Sequence, residues 1–307
     1  MYIEHIEVAG FGGLRRWEST LERASRLDGP PRARVAVADA LLLAFASWDH
    51  AAFAALLSRW GCRGAIIEGA ALPEAAHWDA APGLAAVVDR ASEGLLVVGL
   101  TIAVDPPQFG KLRALAARDA RLVDALAEGA RVTVRVGARF SPNFDAVAID
   151  PLSFLIGDVG FPIAGADRPG WMTAFLRGLT GRLHRGALPP EVWATHAMSW
   201  RAEDQRAVRR AIAALRAPPA GMGDLVVLAD GPALLEDEAV VSMRHLGTGA
   251  QQAAGLVGAV HLSGAEILVV EDAPPAWLDW LAAQTEAEAS PLEQVILLGV
   301  PGGIPIG

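Results

Sequence analysis

Polar and apolar positions alternate in short runs at the start of the chain and shift to helical spacing further on. Ile3, Ile6 and Val8 are apolar with Glu4, His5 and Glu7 between them, which predicts a strand over Tyr2–Val8. Gly10-Phe11-Gly12-Gly13-Leu14 then predicts a turn, and Trp17–Leu27 a second strand pair ending at Gly29-Pro30-Pro31. Ala- and Leu-rich stretches predict helices over Val35–Trp48 and Ala51–Trp60, followed by a short apolar strand at Gly64–Glu68. Gly94–Val104 is a strand closed by Asp105-Pro106-Pro107. Leu112, Leu115, Leu122, Val123 and Leu126 predict one helix over Phe109–Glu128. Val132, Val134 and Val136 alternate with Thr133 and Arg135 along Val132–Phe140. With further strands at Ala146–Ile156 and Val159–Ile163, the middle of the chain reads as a small antiparallel β element.

Beyond it, helices are expected over Trp171–Leu183, Arg201–Leu215, Thr248–Leu262 and Trp277–Ala287, with strands at Leu225–Leu228, Ile267–Val270 and Val295–Leu298. Ala217-Pro218-Pro219-Ala220-Gly221 is a clear break. Strand and helix alternate toward the C-terminus, and the late strands are apolar throughout, which predicts an α/β sheet with buried parallel strands.

Composition narrows the classes. The 307 residues are 52% hydrophobic, enough for a sizeable core. The formal net charge of −9 argues against broad coating of nucleic acid and leaves only a local basic patch open. A lone cysteine, Cys62, excludes an internal disulfide and a Cys-based zinc site, and fits a reducing cytoplasm. The opening Met1-Tyr2-Ile3-Glu4-His5 does not read as a signal peptide, and no apolar run is long enough to span a membrane. The expected location is therefore cytoplasmic.

Four segments carry candidate chemistry. Ile3–Leu14 has the form I-x-x-I-x-[IV]-x-x-F-x-x-L. Leu27-Asp28-Gly29-Pro30-Pro31-Arg32-Ala33-Arg34-Val35-Ala36 stands at a strand-to-helix turn where a phosphate-binding loop would read G-P-x-G-x-G-K-S-T. Such a loop needs glycines so that N–H groups can face phosphate, Lys for the β/γ-phosphates, and Ser/Thr for Mg²⁺. Here Gly29 and Pro30 remain, Arg32 and Arg34 take the later glycine positions, and Val35 and Ala36 replace the Lys and the hydroxyl residue. The start of the helix would still attract an anion, with Arg32 or Arg34 beside it. Leu246-Gly247-Thr248-Gly249-Ala250-Gln251-Gln252 precedes an apolar helix. Ile267-Leu268-Val269-Val270-Glu271-Asp272-Ala273-Pro274 ends a buried strand in two carboxylates, where Mg²⁺ and an attacking water are organised in metal-assisted hydrolysis.

In this order the segments resemble the RecF/SMC-like branch of ABC-type ATPases, often described as AAA-family ATP-binding proteins. The resemblance covers about residues 1–48 and 224–301. It implies a P-loop NTPase-like mixed sheet with a β-rich N-terminal lobe, one domain over 1–307, and a variable lobe-like insert at roughly 105–220. It assigns Gly29, Arg32 and Arg34 to an eroded P-loop. Gly247, Thr248, Gly249 and Gln251 become a signature that contacts the γ-phosphate held by a partner subunit. Glu271 becomes the metal-side acid and Asp272 the catalytic base. The switch histidine that follows Walker B in the family falls at Gly299, a second loss.

The resemblance therefore implies a pseudo-ATPase, a regulatory or interaction subunit with no ATPase activity of its own. Its partner would be a homologous active ATPase whose site it completes in trans, or a second copy. No cofactor is expected, with ATP and Mg²⁺ entering only if the vestigial loop or a trans site works. Two other readings stay open: a divergent ATPase using Arg32 or Arg34 in place of Lys, and a scaffold with no nucleotide role.

Other features are less specific. The seven histidines show no metal-ligand spacing with acids, so no metal site is assigned. There is no G-x-S-x-G, though a spatial Ser-His-Asp arrangement stays open. Trp17, Trp48 and Trp60 are expected to pack the first lobe, and Trp277 and Trp280 to serve core or interface. Arg206, Arg209 and Arg210 make one helix face, read first as solvated and second as a contact for nucleic acid or an acidic partner.

Overall fold

The structure is a computed structural model that describes residues 1–60, 62–63, 67–68, 79–80, 87, 95–104, 106–116, 120–127, 131–140, 147–162, 170–236 and 239–307. The fold is mixed α/β in two compact units, Met1–Leu183 with Gly299–Gly307, and His184–Leu298. The stretch 105–220, expected as one insert, is shared between them.

The first unit is built on an antiparallel sheet. β1 (Tyr2–Phe11) and β2 (Leu14–Thr20) form a hairpin with Val8 opposite Trp17 and Phe11 opposite Leu14. β3 (Ala24–Asp28) leads into α1 (Pro31–Ala46), and α2 (His50–Arg59) packs on α1 with Asp49 capping its start through the Ala52 N–H. Two short strands, β4 (Cys62–Arg63) and β6 (Asp79–Ala80), pair with each other, and β5 (Ile67–Glu68) runs parallel to β9 (Val147–Ile156). The expected strand at Gly64–Glu68 lies partly outside the described residues.

β7 (Leu95–Ala103), β8 (Arg131–Phe140) and β10 (Val159–Phe161) complete the sheet in the order β10-β9-β8-β7-β1-β2. The middle β element expected from sequence is thus one sheet with the N-terminal hairpin, joined where β7 pairs with β1. Two helices, α3 (Pro106–Ala116) and α4 (Ala120–Ala127), occupy the span expected as one helix, and the residues between them lie outside the described set. α5 (Gly170–Leu179) follows, shorter than expected.

The alternation in β1 has one irregularity, two polar residues in succession at Glu4-His5. A register shift between Ile3 and His5 absorbs the extra residue, which returns Ile6 and Val8 to the buried face with Ile3. The opposite face carries cross-strand ion pairs. Arg131 donates to Glu4 at 2.5 Å and Arg135 to Glu7 at 3.1 Å. Gly99 stands between Glu7 and Arg135 in the register, and a Cβ there would come within 3.3 Å of both Glu7 Oε2 and Glu7 Cβ. Its missing side chain lets the two charged groups meet over β7. The Arg131 hydrogen bond, with help from Tyr2, holds the Glu4 carboxyl below its usual range against the opposing effect of burial.

The second unit opens with β11 (Leu183–Arg185), whose last two residues belong to it, then α6 (Pro190–Ala197) and α7 (Ala202–Arg216). β12 (Asp224–Leu228), β13 (Gly231–Glu236) and β14 (Ala239–Ser242) form an antiparallel meander, of which only β12 is legible in the sequence. α8 (Thr248–Leu262) has its expected bounds; its first turn is mostly exposed, and from Ala253 to Leu262 every residue is buried, so this stretch is apolar all round but for His261. β15 (Ile267–Glu271), α9 (Pro275–Gln284) and β16 (Gln294–Leu298) follow. β15 and β16 pair in parallel, Ile267 opposite Gln294 through Glu271 opposite Leu298, and are buried but for Glu271. α8 comes so close to its neighbours that a Cβ at Gly258 would lie 2.8 Å from Trp193 Nε1, and one at Gly255 would lie 2.6 Å from Ala187 Cβ. The last strand, β17 (Ile304–Pro305), belongs to the first unit and runs parallel to β3.

Candidate functional site

The turn at Gly29 does not form a phosphate cradle. β3 ends at Asp28 and α1 begins at Pro31, so two residues connect strand to helix. Arg32 and Arg34, expected in a loop, lie in the first turn of α1, which starts four residues before the expected Val35. Most of the N–H groups of this turn are used within the chain or missing. Gly29 N–H donates to the Asp28 carboxylate at 2.8 Å, Pro30 and Pro31 have none, and those of Ala33 and Arg34 go to Pro30 O at 2.9 and 3.2 Å.

Gly29 has a packing reason to be glycine. A Cβ there would meet Ile306 O at 2.9 Å and Ile306 Cβ at 3.0 Å. The C-terminal segment is fixed across this turn by Ile306 N–H donating to Asp28 O at 2.7 Å and Trp17 Nε1 donating to Pro305 O at 3.1 Å. A carboxylate and the chain's own C-terminal strand fill the place of an anion. The residues present do not fit a nucleotide's phosphates with Mg²⁺.

The Walker B-like strand end is also internally matched. Arg185 Nε donates to Glu271 Oε1 at 2.6 Å, with both side chains mostly buried. A guanidinium therefore stands where the resemblance puts a divalent cation. Asp272 follows at φ +50°, uncommon for a non-glycine residue, and its N–H donates to Leu298 O at 2.9 Å while the residue is exposed. The Glu271 carboxylate is thus already paired with a cation of its own chain. Among the described residues no group of three or more His, Cys, Asp or Glu is arranged to hold a metal ion.

The signature-like segment differs from both. Gly247 is the N-cap of α8 and Thr248 its first residue, so the helix starts without a side-chain cap. Gln251 Nε2 donates to Arg244 O and Leu246 O at 2.9 and 3.0 Å, which locks the turn ahead of the helix. Gly247, Thr248 and Gly249 are exposed, and a Cβ at either glycine would meet nothing within 4 Å. This helix end is open, positively polarised and uncrowded. Gly299, at the position of the switch histidine, has φ +81° and donates its N–H to Leu27 O at 2.9 Å.

Gly29, Arg32 and Arg34 therefore belong to the first unit, and Gly247, Thr248, Gly249, Gln251, Glu271 and Asp272 to the second. Two residues that decide the chemistry, Asp28 and Arg185, were missed in the sequence because each matters only through a contact that no local pattern encodes.

A Ser-His-Asp group does form, from His196, Ser199 and Asp204, but in the wrong order for catalysis. Asp204 Oδ1 lies 3.1 Å from His196 Nδ1 and Oδ2 accepts from Ser199 Oγ at 2.5 Å, so the hydroxyl bonds the acid and not the imidazole. The Ser199 hydroxyl, then the His196 ring, hold the Asp204 carboxyl below its usual range. His261 is buried on α8, and burial first, then the Arg210 charge, pull its pKa down to about 4. Trp17 and Trp60 are buried in the first unit and Trp48 half-buried. Trp277 is buried edge-on against Trp280 at 5.1 Å in the second. No helix among the described residues is long and apolar enough to cross a membrane.

No protein-family model and no curated protein matches the chain. Among solved structures it is similar to an SMC head bound to the C-winged helix domain of ScpA, at 12% identity and a TM-score of 0.48, over 98% of this chain and 91% of that one.

Proposed function

We propose that the chain is a pseudo-ATPase: an interaction subunit that holds no nucleotide of its own and completes the site of a homologous ATPase in trans through the start of α8. The observation that carries this reading is the contrast between the two glycine segments. At Gly29 the turn is closed by Asp28, two prolines and Ile306. At Gly247–Gly249 the helix start is exposed, with open space at both glycines. The Ala250 and Gln251 N–H groups go to Gly247 O at 3.0 and 3.3 Å, so a γ-phosphate held by another subunit would meet the N–H groups of Thr248 and Gly249, together with the favourable end of the helix dipole. The Arg185–Glu271 pair supports the same reading, because a neutralised strand-end acid leaves no place for the chain's own Mg²⁺.

The test is nucleotide binding and turnover by the purified chain, by a homologous ATPase with an intact G-x-x-x-x-G-K-[ST], and by the mixture. The chain alone is expected to bind no fluorescent ATP analogue, and the mixture to bind and turn over faster than the ATPase alone. Gly249→Arg fills open space and leaves the fold intact, yet is expected to remove the stimulation. Mg²⁺-dependent ATP binding by the chain alone would favour a divergent ATPase. Stimulation unchanged in Gly249→Arg would refute the trans site.

A further inference from the structure

The most exposed large apolar side chain is on neither nucleotide-related segment. Trp200 is 102% exposed, and Met198 beside it is 66% exposed. They lie in the four-residue connection between α6 and α7, and that connection is fixed. Gln205 Nε2 donates to Ala197 O at 2.6 Å and to Ser199 O at 2.9 Å. Ser199 Oγ donates to Asp204, Arg201 N–H to Ser199 Oγ at 3.2 Å, and Met198 N–H to Ala194 O at 2.9 Å. The His196–Asp204 contact ties the end of α6 to the start of α7. The Ser-His-Asp group is therefore a clamp that presents Trp200 to solvent with its backbone already ordered.

The adjoining face of α7 adds charge. Ala207, Val208, Ala211 and Leu215 are buried, so the outward stripe runs through Ala202, Arg206, Arg209, Ala213 and Arg216. Arg216 pairs with Asp224 at 3.4 Å and Arg201 reaches Glu203 at 4.0 Å. Among the described residues Arg206 and Arg209 form no ion pair, although the chain as a whole has a net charge of −9. They stand about 4.5 Å apart along the helix axis, beginning one turn from the Trp200 end.

We propose that Trp200 and Met198, with Arg206 and Arg209 along the adjoining helix face, are a docking surface for an acidic protein segment that carries an apolar or aromatic anchor. Trp and Arg are enriched among the residues that carry binding energy at protein interfaces, and a Trp on an ordered backbone gives a large contact area for little lost conformational freedom. The two cations require carboxylates opposite them. A second copy docking by the same patch would set Arg against Arg, so the surface is not self-complementary. Two unpaired arginines are few partners for a phosphate backbone, and the net charge of −9 opposes any long polyanion, which leaves a short acidic segment whose apolar anchor Trp200 and Met198 can meet. The proposal is independent of whether the start of α8 serves a nucleotide.

Its test uses the full chain and three fluorescein-labelled probes: a peptide of repeating Asp-Leu-Glu-Phe units, the same peptide with Asn and Gln in place of the acids, and oligo-dT of matched length. Wild type is expected to bind the acidic peptide, more weakly as salt rises, and to bind the neutral peptide poorly. Trp200→Ala is expected to weaken binding by about 30-fold or more, while Trp200→Phe retains most of it. Arg206→Glu with Arg209→Glu is expected to abolish it. All three variants should keep the wild-type Tm, since the changed side chains are exposed. No binding of the acidic peptide, equal binding of the neutral one, tighter binding of oligo-dT, or a Trp200-dependent dimer in sedimentation would each overturn the proposal.

Discussion

His261 makes the stability of the second unit depend on pH between the unfolded and folded pKa values of its ring. The ring lies near the end of α8, 8% exposed, with Arg210 of α7 as the nearby charge. Burial is the larger cause of its depressed pKa of about 4, and the like charge of Arg210 adds to it. Between the unfolded value of 6.5 and the folded value of about 4 the unfolded chain binds the proton and the native chain does not. The stability is thus complete above pH 6.5, is lost as pH falls through the window, and falls no further below about 4. A shift of 2.5 units amounts to about 3 kcal/mol, at a slope of about 1.4 kcal/mol per pH unit. Urea unfolding of wild type and His261→Leu across this range gives the contrast directly, because every shared titration cancels in the difference. The Leu variant is expected to be flat relative to wild type. Arg210→Met should raise the histidine pKa and narrow the window, which an NMR titration of the ring resonances reads independently. Parallel curves for wild type and His261→Leu would refute the argument.

Three further outcomes follow from the packing. Gly29→Ala drives a Cβ into Ile306 O at 2.9 Å and is expected to cost about 1–3 kcal/mol in thermal or urea unfolding, with no dependence on added nucleotide; an unchanged Tm would mean that the C-terminal strand does not seat on this turn. Gly258→Ala meets the buried Trp193 ring at 2.8 Å and should cost a similar amount, whereas Gly249→Ala enters open space and should leave stability equal or slightly higher; the reverse order would overturn the assignment of packing and surface glycines. In a double-mutant cycle, Arg185→Met with Glu271→Leu is expected to recover most of what either change loses, with a coupling of about 1–2 kcal/mol, discounted for the quarter of each side chain left in solvent; a coupling near zero would separate the two residues.

Much of the fold is legible because its periodicity is local. β8 shows its buried face in Val132, Val134 and Val136, and α8 carries its own bounds in Thr248 and the Gly264 turn that follows. What is illegible is long-range. Nothing near Tyr2–Phe11 says that Leu95–Ala103 pairs with it, since alternation marks a strand without naming its neighbour. α6 hides behind Pro189-Pro190, which reads as a break although proline at the first helical position is favoured. β13 and β14 are short, and Pro232 within the first weakens its pattern.

Glycine shows the same limit at the candidate site. Chain order makes Gly29 and Gly247 equivalent, each the glycine of a nucleotide-contacting segment. In the fold a Cβ at Gly29 would run into Ile306, whereas a Cβ at Gly247 would meet nothing within 4 Å. A motif registers that a side chain is missing, and only the three-dimensional neighbours say whether the space was cleared for a ligand or taken by the protein itself. Asp28 and Arg185 extend the point to charge. Asp28 sets an acceptor carboxylate where the resemblance expects phosphate and Arg185 a cation where it expects metal, and each is held by a partner fixed by the fold: the Gly29 N–H, which donates to Asp28, and Glu271, which accepts from Arg185. The taken Gly29 N–H and the neutralised Glu271, each within its own unit, support the proposal that this chain holds no nucleotide of its own. The start of α8 and Trp200 are exposed instead, and that exposure is what supports the two proposed partner contacts.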